Sequence, residues 1–165
     1  MIDIQQLNFG YPKQDLLFKE LSMELEPGNI YGLLGQNGAG KTSLLKLMTG
    51  LLYPQSGQCF IHDFEAQLRI PQMLEDIYIV PEEFLLPAIS INEFVGINGA
   101  FYPNYHPEQF QHYMNEFKMS TNKKLSKLSY GQKKKVLLSF GLATNTKLLI
   151  LDEPTNGLDI PSKSQ

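Results

Sequence analysis

Three observations predict an α/β protein. Two short apolar segments open the chain, "IDIQQLNF" and "LSMEL", separated by a turn. Three apolar runs, "IYGLL", "IYIV" and "LLIL", end at Gly35, Pro81 and the Asp152-Glu153 pair and share the chain with segments of helical spacing. Between Glu83 and Leu125 the signals turn helical, which marks an insert.

The elements follow in order. "IDIQQLNF" reads as a strand and "GYPKQD" as a turn. "LSMEL" alternates as an antiparallel strand does, and "EPGN" (Glu26 to Asn29) is a turn. "IYGLL" (Ile30 to Leu34) is expected as a buried strand. From Thr42, "TSLLKLMTG" carries apolar residues at helical spacing and stops at Gly50. "YPQSG" is a loop, "QCFI" a strand, and "IYIV" (Ile77 to Val80) another strand. Ser90 and Glu93 make an S-x-x-E capping box and start a helix. Pro107 suits the first position of the next helix, where Phe110, Tyr113, Met114 and Phe117 give one apolar face. After "LSYGQ" a helix runs through Leu142, followed by the strand "LLIL". The expected organisation is one domain, with a core over residues 1–82 and 126–165 and a helical insert over residues 83–125.

Composition narrows the classes. The 165 residues are 42% hydrophobic and 19% charged, ordinary for a globular domain with a real core. Net charge is −3, which argues against a nucleic-acid-binding surface, and no nucleic acid is expected as a partner. The single cysteine, Cys59, rules out an intrachain disulfide and fits a reducing compartment. "MIDIQQLNF" lacks a basic stretch followed by an apolar one, so no signal peptide is read there, and no apolar run approaches the length of a membrane span.

Gly35 to Thr42 reads "GQNGAGKT" and fits G-x-x-x-x-G-K-[ST], after an expected strand and at the start of an expected helix. Glycines let the backbone curl so that successive N–H groups point inward at phosphate oxygens. The helix N-terminus adds a positive dipole end. Lys41 supplies a point charge for the outer phosphates, and the Thr42 hydroxyl can ligate Mg²⁺. Gly35, Gln36, Asn37, Gly38, Ala39, Gly40, Lys41, Thr42 and Ser43 are therefore the candidate ATP-binding loop of a P-loop NTPase core. The bland alternative is a glycine-rich turn with a surface lysine. The apolar run "LLIL" ending in Asp-Glu suits the same chemistry, because P-loop proteins place a carboxylate by the metal in this way. Asp152 would hold Mg²⁺ directly or through water, and Glu153 would face the attacking water as general base. Alone, "LLILDEP" could equally be a strand entering an acidic turn.

Between these motifs lies "LSYGQ": Leu128, Ser129, Tyr130, Gly131 and Gln132. A P-loop, then LSxGQ, then four apolar residues with Asp-Glu, then "NGLD" resembles the ATP-binding cassette family, from about Leu7 to the last residue. An ordinary helix entry capped by Ser129 is the structural alternative for "LSYGQ". The resemblance implies head-to-tail pairing with a second such domain, as a homodimer or a heterodimer. The signature of one domain would then close over ATP held by the P-loop of the other. It implies that Tyr11, in "FGYP", stacks on adenine, against the rival reading of a loop tyrosine packed on its neighbours. Asp159, in "NGLD", matches a loop linking the two active sites. Lys133, Lys134 and Lys135 follow the signature; they could assist, but a charge run on a helix is usually a solvated face.

The pattern departs from the family in three places. Where the family has a glutamine that reaches the metal and the membrane partner, "VPEE" puts Glu82. A carboxylate can ligate Mg²⁺ but cannot donate as an amide does. Glu82 and "FYPNY" resemble a branch found in many bacterial exporters. The family's switch histidine lies beyond the acidic strand, whereas His62, His106 and His112 all precede Asp152 and receive no role. The strand leading to that histidine is also missing, which would leave two neighbours without ladder partners. The expectation is a fold incomplete at its C-terminal end, a truncated chain with weak hydrolysis on its own. The implied function is that of the ATP-binding subunit of a transporter, working with a transmembrane permease subunit. It would be cytoplasmic and peripheral on the inner face of the cell membrane, with ATP and Mg²⁺ as cofactors. Two other readings stay open: a cassette acting on ribosomes or nucleic acid without transport, and a degraded cassette that binds nucleotide without turnover.

Overall fold

The computed structural model describes residues 1–157, in two units that divide after Leu74. In the first unit, β1 (Ile2–Phe9), β2 (Phe18–Leu25), β3 (Ser56–Ile61) and β4 (Phe64–Glu65) form one antiparallel sheet in the order β2-β1-β3-β4. The buried residues of β1 are Ile2 and Ile4, then Leu7 and Phe9. A regular strand alternates faces with period two, so this set changes phase midway. The register shifts in both neighbouring ladders between Ile4 and Asn8, and Gln6 has φ 46°. An extra residue at this bulge returns Leu7 and Phe9 to the inner face. Opposite it, Gly57 has φ 80°, and a β-carbon there would strike the Gln5 and Gln6 carbonyls.

The helix α1 (Lys41–Met48) buries Leu44, Leu47 and Met48 and ends at Thr49 and Gly50, the latter at φ 66°. Arg69 donates from Nη1 to the Thr49 carbonyl at 2.6 Å, satisfying one of the last acceptors of the helix. A single helical turn at Ala66–Leu68 and the short α2 (Pro71–Leu74) complete the unit. Cys59 is buried on β3, and burial, then the Asp3 carboxylate, push its thiol up to about 12.

One expected strand of this unit is absent. Ile30 to Leu34 form no strand and join no sheet among the described residues. Ile30 is 103% and Leu34 93% exposed, where a buried strand was expected. The side chains are those of a central strand, but strand geometry persists only where a neighbour completes the ladder.

In the second unit, β5 (Ile77–Val80) and β6 (Leu148–Leu151) pair in parallel, Ile77 opposite Leu148 and Val80 opposite Leu151. Three helices follow the chain between them: α3 (Ile91–Gly99), α4 (Pro107–Glu116) and α5 (Tyr130–Ala143). The capping box forms as the sequence predicts. Ser90 N–H donates to Glu93 Oε2 at 2.7 Å, and Glu93 N–H donates to Ser90 Oγ at 3.2 Å. Ser90 Oγ also donates to Glu93 Oε2 at 2.7 Å, and this bond, then the one from Ser90 N–H, holds the Glu93 carboxyl below its usual range. Pro107 takes the first helical position of α4, and Phe110 and Met114 are buried, while Phe117 is 40% exposed just beyond the helix. Phe117 instead lies under the Lys135 ammonium, 5.2 Å from the ring centre.

Phe140, on α5, is the hub of this unit. It is fully buried, and the rings of Tyr78, Phe94, Tyr102, Tyr105 and Phe110 surround it with centroids 5.2–6.4 Å away. Edge-to-face geometry prevails, as the ring quadrupoles favour. Residues of β5, α3, α4 and α5 thus share one core. Gly141 lets α5 approach β5, since a β-carbon there would sit 2.6 Å from the Tyr78 ring.

Two outcomes follow. Phe140→Ala should destabilise the second unit by about 3–5 kcal/mol, read as a lower denaturation midpoint. Cys59 should resist a thiol reagent at neutral pH in the folded chain and react at once in denaturant, because only the thiolate attacks and burial disfavours it.

Candidate active site

The candidate phosphate cradle lies in the first unit. Residues 35 to 39 are exposed, and Ala39 N–H closes a turn on the Gln36 carbonyl at 3.2 Å. Gly38 has φ 83° and Gly40 φ 94°. Gly40 is constrained twice, because a β-carbon there would also lie 2.8 Å from Leu17 Cδ2 and Phe18 Cζ. It caps α1 without any side-chain acceptor, and the first turn of α1 holds no acidic residue. The leading N–H groups and the positive dipole end therefore keep their attraction for an anion.

Lys41 folds back over the loop. Its Nζ donates to the Gly35 carbonyl at 2.9 Å and the Gln36 carbonyl at 3.1 Å. An ammonium has three donors, so one remains for a phosphate oxygen. Thr42 is half-buried in the first turn, and Ser43 is buried with its hydroxyl 2.9 Å from the Tyr11 hydroxyl. Tyr11 is 38% exposed and packs edge-on against Phe9 at 5.1 Å. The structure therefore places Tyr11 beside the cradle helix, with its hydroxyl committed to Ser43.

The second unit gathers the acidic residues. Parallel pairing aligns the carboxyl ends of β5 and β6, and Asp152 N–H continues the ladder to the Val80 carbonyl at 2.9 Å. Glu82 follows one strand and Asp152 and Glu153 the other, so three carboxylates leave one end of the sheet. Ligands bind at this end in α/β folds. Asp152 is buried at 5% exposure, whereas Glu153 is exposed and has φ 45°. Glu82 accepts from Asn156 Nδ2 at 3.1 Å.

The signature segment begins α5. Leu128 is buried and anchors it. Ser129 caps the helix in a second capping box: Gln132 N–H donates to Ser129 Oγ at 3.3 Å, and Ser129 N–H donates to Gln132 Oε1 at 3.1 Å. The Gln132 side chain is thus committed within its own helix. Tyr130 is 41% exposed and stacks on Phe84, with centroids 5.1 Å apart, while its hydroxyl donates to the Glu82 carbonyl. Gly131 faces the Gly157 carbonyl so closely that a β-carbon would collide with it. Asp159 lies outside the described residues.

One site residue runs against the sequence reading. Lys134 is not on a solvated face; it is fully buried, and its Nζ donates to the carbonyls of Asp152, at 3.4 Å, and Glu153. The charge run conceals the helical period. Lys134 falls three residues before Leu137 and seven before Gly141, both buried. Reading that period through the run would have found it. Among the described residues no group of three or more His, Cys, Asp or Glu side chains is placed to hold a metal ion, and no helix is long and apolar enough to cross a membrane.

Comparison with known proteins fits this geometry. The family model described as ABC transporter matches residues 18–156. The SkfA peptide export ATP-binding protein SkfE of Bacillus subtilis (strain 168) is 33% identical over 99% of this chain, which covers 70% of SkfE. The ABC transporter ATP-binding protein YtrB of the same organism is 31% identical over 96% of this chain, which covers 54% of YtrB. Among solved structures, cbiO1 from Clostridium perfringens, part of the ABC transporter complex cbiONQ, superposes with a TM-score of 0.72 at 28% identity. That superposition covers 96% of this chain and 67% of cbiO1. A P-loop cradle, an acidic strand end and a capped LSYGQ helix, matched by a family model over most of the chain, identify it as a member of the ABC transporter family and an ATP-binding domain of that family of ATPases.

Proposed function

We propose that this chain binds MgATP and hydrolyses it as one half of a head-to-tail pair of ATP-binding domains, driving transport through separate membrane subunits. The observation that carries this is the cradle, in which Lys41 curls over its own loop at the head of a helix with no side-chain cap. Gly35 to Ser43 would hold the phosphates, and Tyr11, beside that helix, would meet the adenine. Thr42, Asp152 and Glu82 each offer a hard oxygen donor of the kind Mg²⁺ takes. Bound Mg²⁺ would neutralise charge on the β- and γ-phosphates.

In this reading Glu153 is the general base. It is exposed at the end of β6, one residue beyond buried Asp152, as a base that meets water from outside must be. Leu128 to Gln132 would present Ser129, Gly131 and the backbone of the helix start to ATP on the paired domain. The exposed Tyr130 and the half-buried Gly131 suit a surface that meets a partner. Asp159 would link the two active sites. The core over residues 1–82 and 126–165 would carry the chemistry, and the insert over residues 83–125 would dock on a permease at the inner face of the membrane. SkfE, named for peptide export, supports the exporter-type branch that Glu82 suggests. The chain's own turnover should be slow, because Ile30 to Leu34 leave the cradle without a sheet strand leading into it.

The test separates binding from chemistry. Glu153→Gln should bind MgATP as tightly as the parent chain while turnover falls about 100-fold or more, and ATP should then trap a dimer visible by light scattering. Turnover unchanged by Glu153→Gln, or ordinary turnover by a chain that stays monomeric with ATP, would contradict this assignment.

A further inference from the structure

We propose that Tyr130 and Lys134, one turn apart at the head of α5, form a clasp that positions the acidic ends of β5 and β6. The proposal rests on Glu153 being the base. Neither residue touches the reacting atoms in this scheme; both are positioning residues.

Lys134 is fully buried, and its ammonium is held by backbone carbonyls, those of Asp152 and Glu153. The Tyr130 ring lies 5.8 Å from the same ammonium. A buried ammonium is costly unless such dipoles surround it, so the pairing has a structural purpose. Successive carbonyls of an extended strand point in opposite directions, and two converge on one ammonium only where the chain turns. Glu153 is that turn: its φ of 45° is left-handed, a conformation its β-carbon disfavours. The ammonium stabilises the carbonyl arrangement that this conformation creates. It thereby fixes the direction in which the Glu153 side chain leaves the backbone.

Tyr130 does the same at the neighbouring strand. Its hydroxyl donates to the Glu82 carbonyl, and Phe84 stacks on its ring at an interplanar angle of 14°. The Glu82 carboxylate is joined in turn to Asn156, beyond Glu153. Gly157 closes the cluster, since a β-carbon there would sit 2.5 Å from Tyr130 Cδ1. One helical turn thus holds both strand ends from beneath. A rotation of α5 would move the Glu153 and Glu82 backbones together, so the start of the signature helix is coupled mechanically to the base.

The test uses the full chain with four variants: Lys134→Met, Lys134→Arg, Tyr130→Phe and Glu153→Gln. Steady-state ATP hydrolysis gives kcat and KM, and amide hydrogen exchange reads residues 81–84 and 152–156. Lys134→Met should lower kcat about 10-fold or more and leave KM within about 2-fold, because a displaced base weakens the transition state and not ATP binding. Lys134→Arg should recover most of the loss, and Lys134→Met should speed exchange at residues 152–156 about 10-fold. Tyr130→Phe removes only the hydroxyl of an exposed ring and should speed exchange at residues 81–84. Exchange needs no turnover, so a slowly hydrolysing chain still decides the matter. Parental kcat and exchange in Lys134→Met overturn the clasp, as does a loss confined to KM. If Lys134→Met does not fold, parental exchange at residues 81–84 in Tyr130→Phe overturns it. If Glu153→Gln leaves turnover intact, the base assignment fails while the exchange pattern still decides whether the clasp exists.

Discussion

The second unit of this chain depends on the parallel ladder between β5 and β6. Its register sets Val80 opposite Leu151 and continues from the Val80 carbonyl to Asp152 N–H. That one bond places a buried carboxylate immediately past the sheet and leaves Glu153 as the first residue free to turn outward. Everything else in the unit supports the ladder. Phe140 and the rings around it press α5 against β5, and Gly141 removes the β-carbon that would hold them apart. A slip of one residue in the register would exchange buried Asp152 for exposed Glu153, and the roles proposed for the two carboxylates would no longer fit their positions.

The phosphate cradle solves a different problem in the first unit. An anion site of this kind is built from backbone N–H groups, so the sequence must supply conformations and not side chains. Gly38 and Gly40 supply positive φ, and Gly40 also makes room for Leu17 and Phe18. The charge comes from Lys41, held ready by two loop carbonyls. Leaving α1 without an acidic first turn or a side-chain cap stabilises the helix less than an ordinary cap would. It preserves the anion-binding end.

Where local chemistry decides the structure, the sequence was legible. The strand boundaries of β5 and β6, the capping box at Ser90, the helix cap at Ser129 and Pro107 at the start of α4 all follow from short-range rules; that Gln132 completes a second box at Ser129 is a finding of the structure. The LSYGQ motif and the glycine loop pointed to the family that the family model matches, because their spacing is tied to chemistry. What failed needed partners distant in sequence. "IYGLL" has the composition of a strand, but composition cannot provide a neighbouring ladder, and Ile30 and Leu34 are exposed. Lys134 failed for the opposite reason: three lysines in a row suggest solvent, and only the convergence of two carbonyls at the far strand end makes a buried ammonium tolerable. The bulge at Gln6 lay in plain sight as the phase change between Ile4 and Leu7, visible once β1 is read residue by residue.

The claim on which the rest stands is that the glycine loop binds nucleotide through Lys41. The most direct measurement is the thermal melt of the purified chain with and without MgATP, beside Lys41→Ala. Ligand present at about 100 times its dissociation constant stabilises a folded protein by about 2.7 kcal/mol, a shift of several degrees. If Lys41 holds nucleotide, the melting temperature rises by that order in the parent chain and not in Lys41→Ala. No rise in the parent, or an equal rise in both, would contradict it.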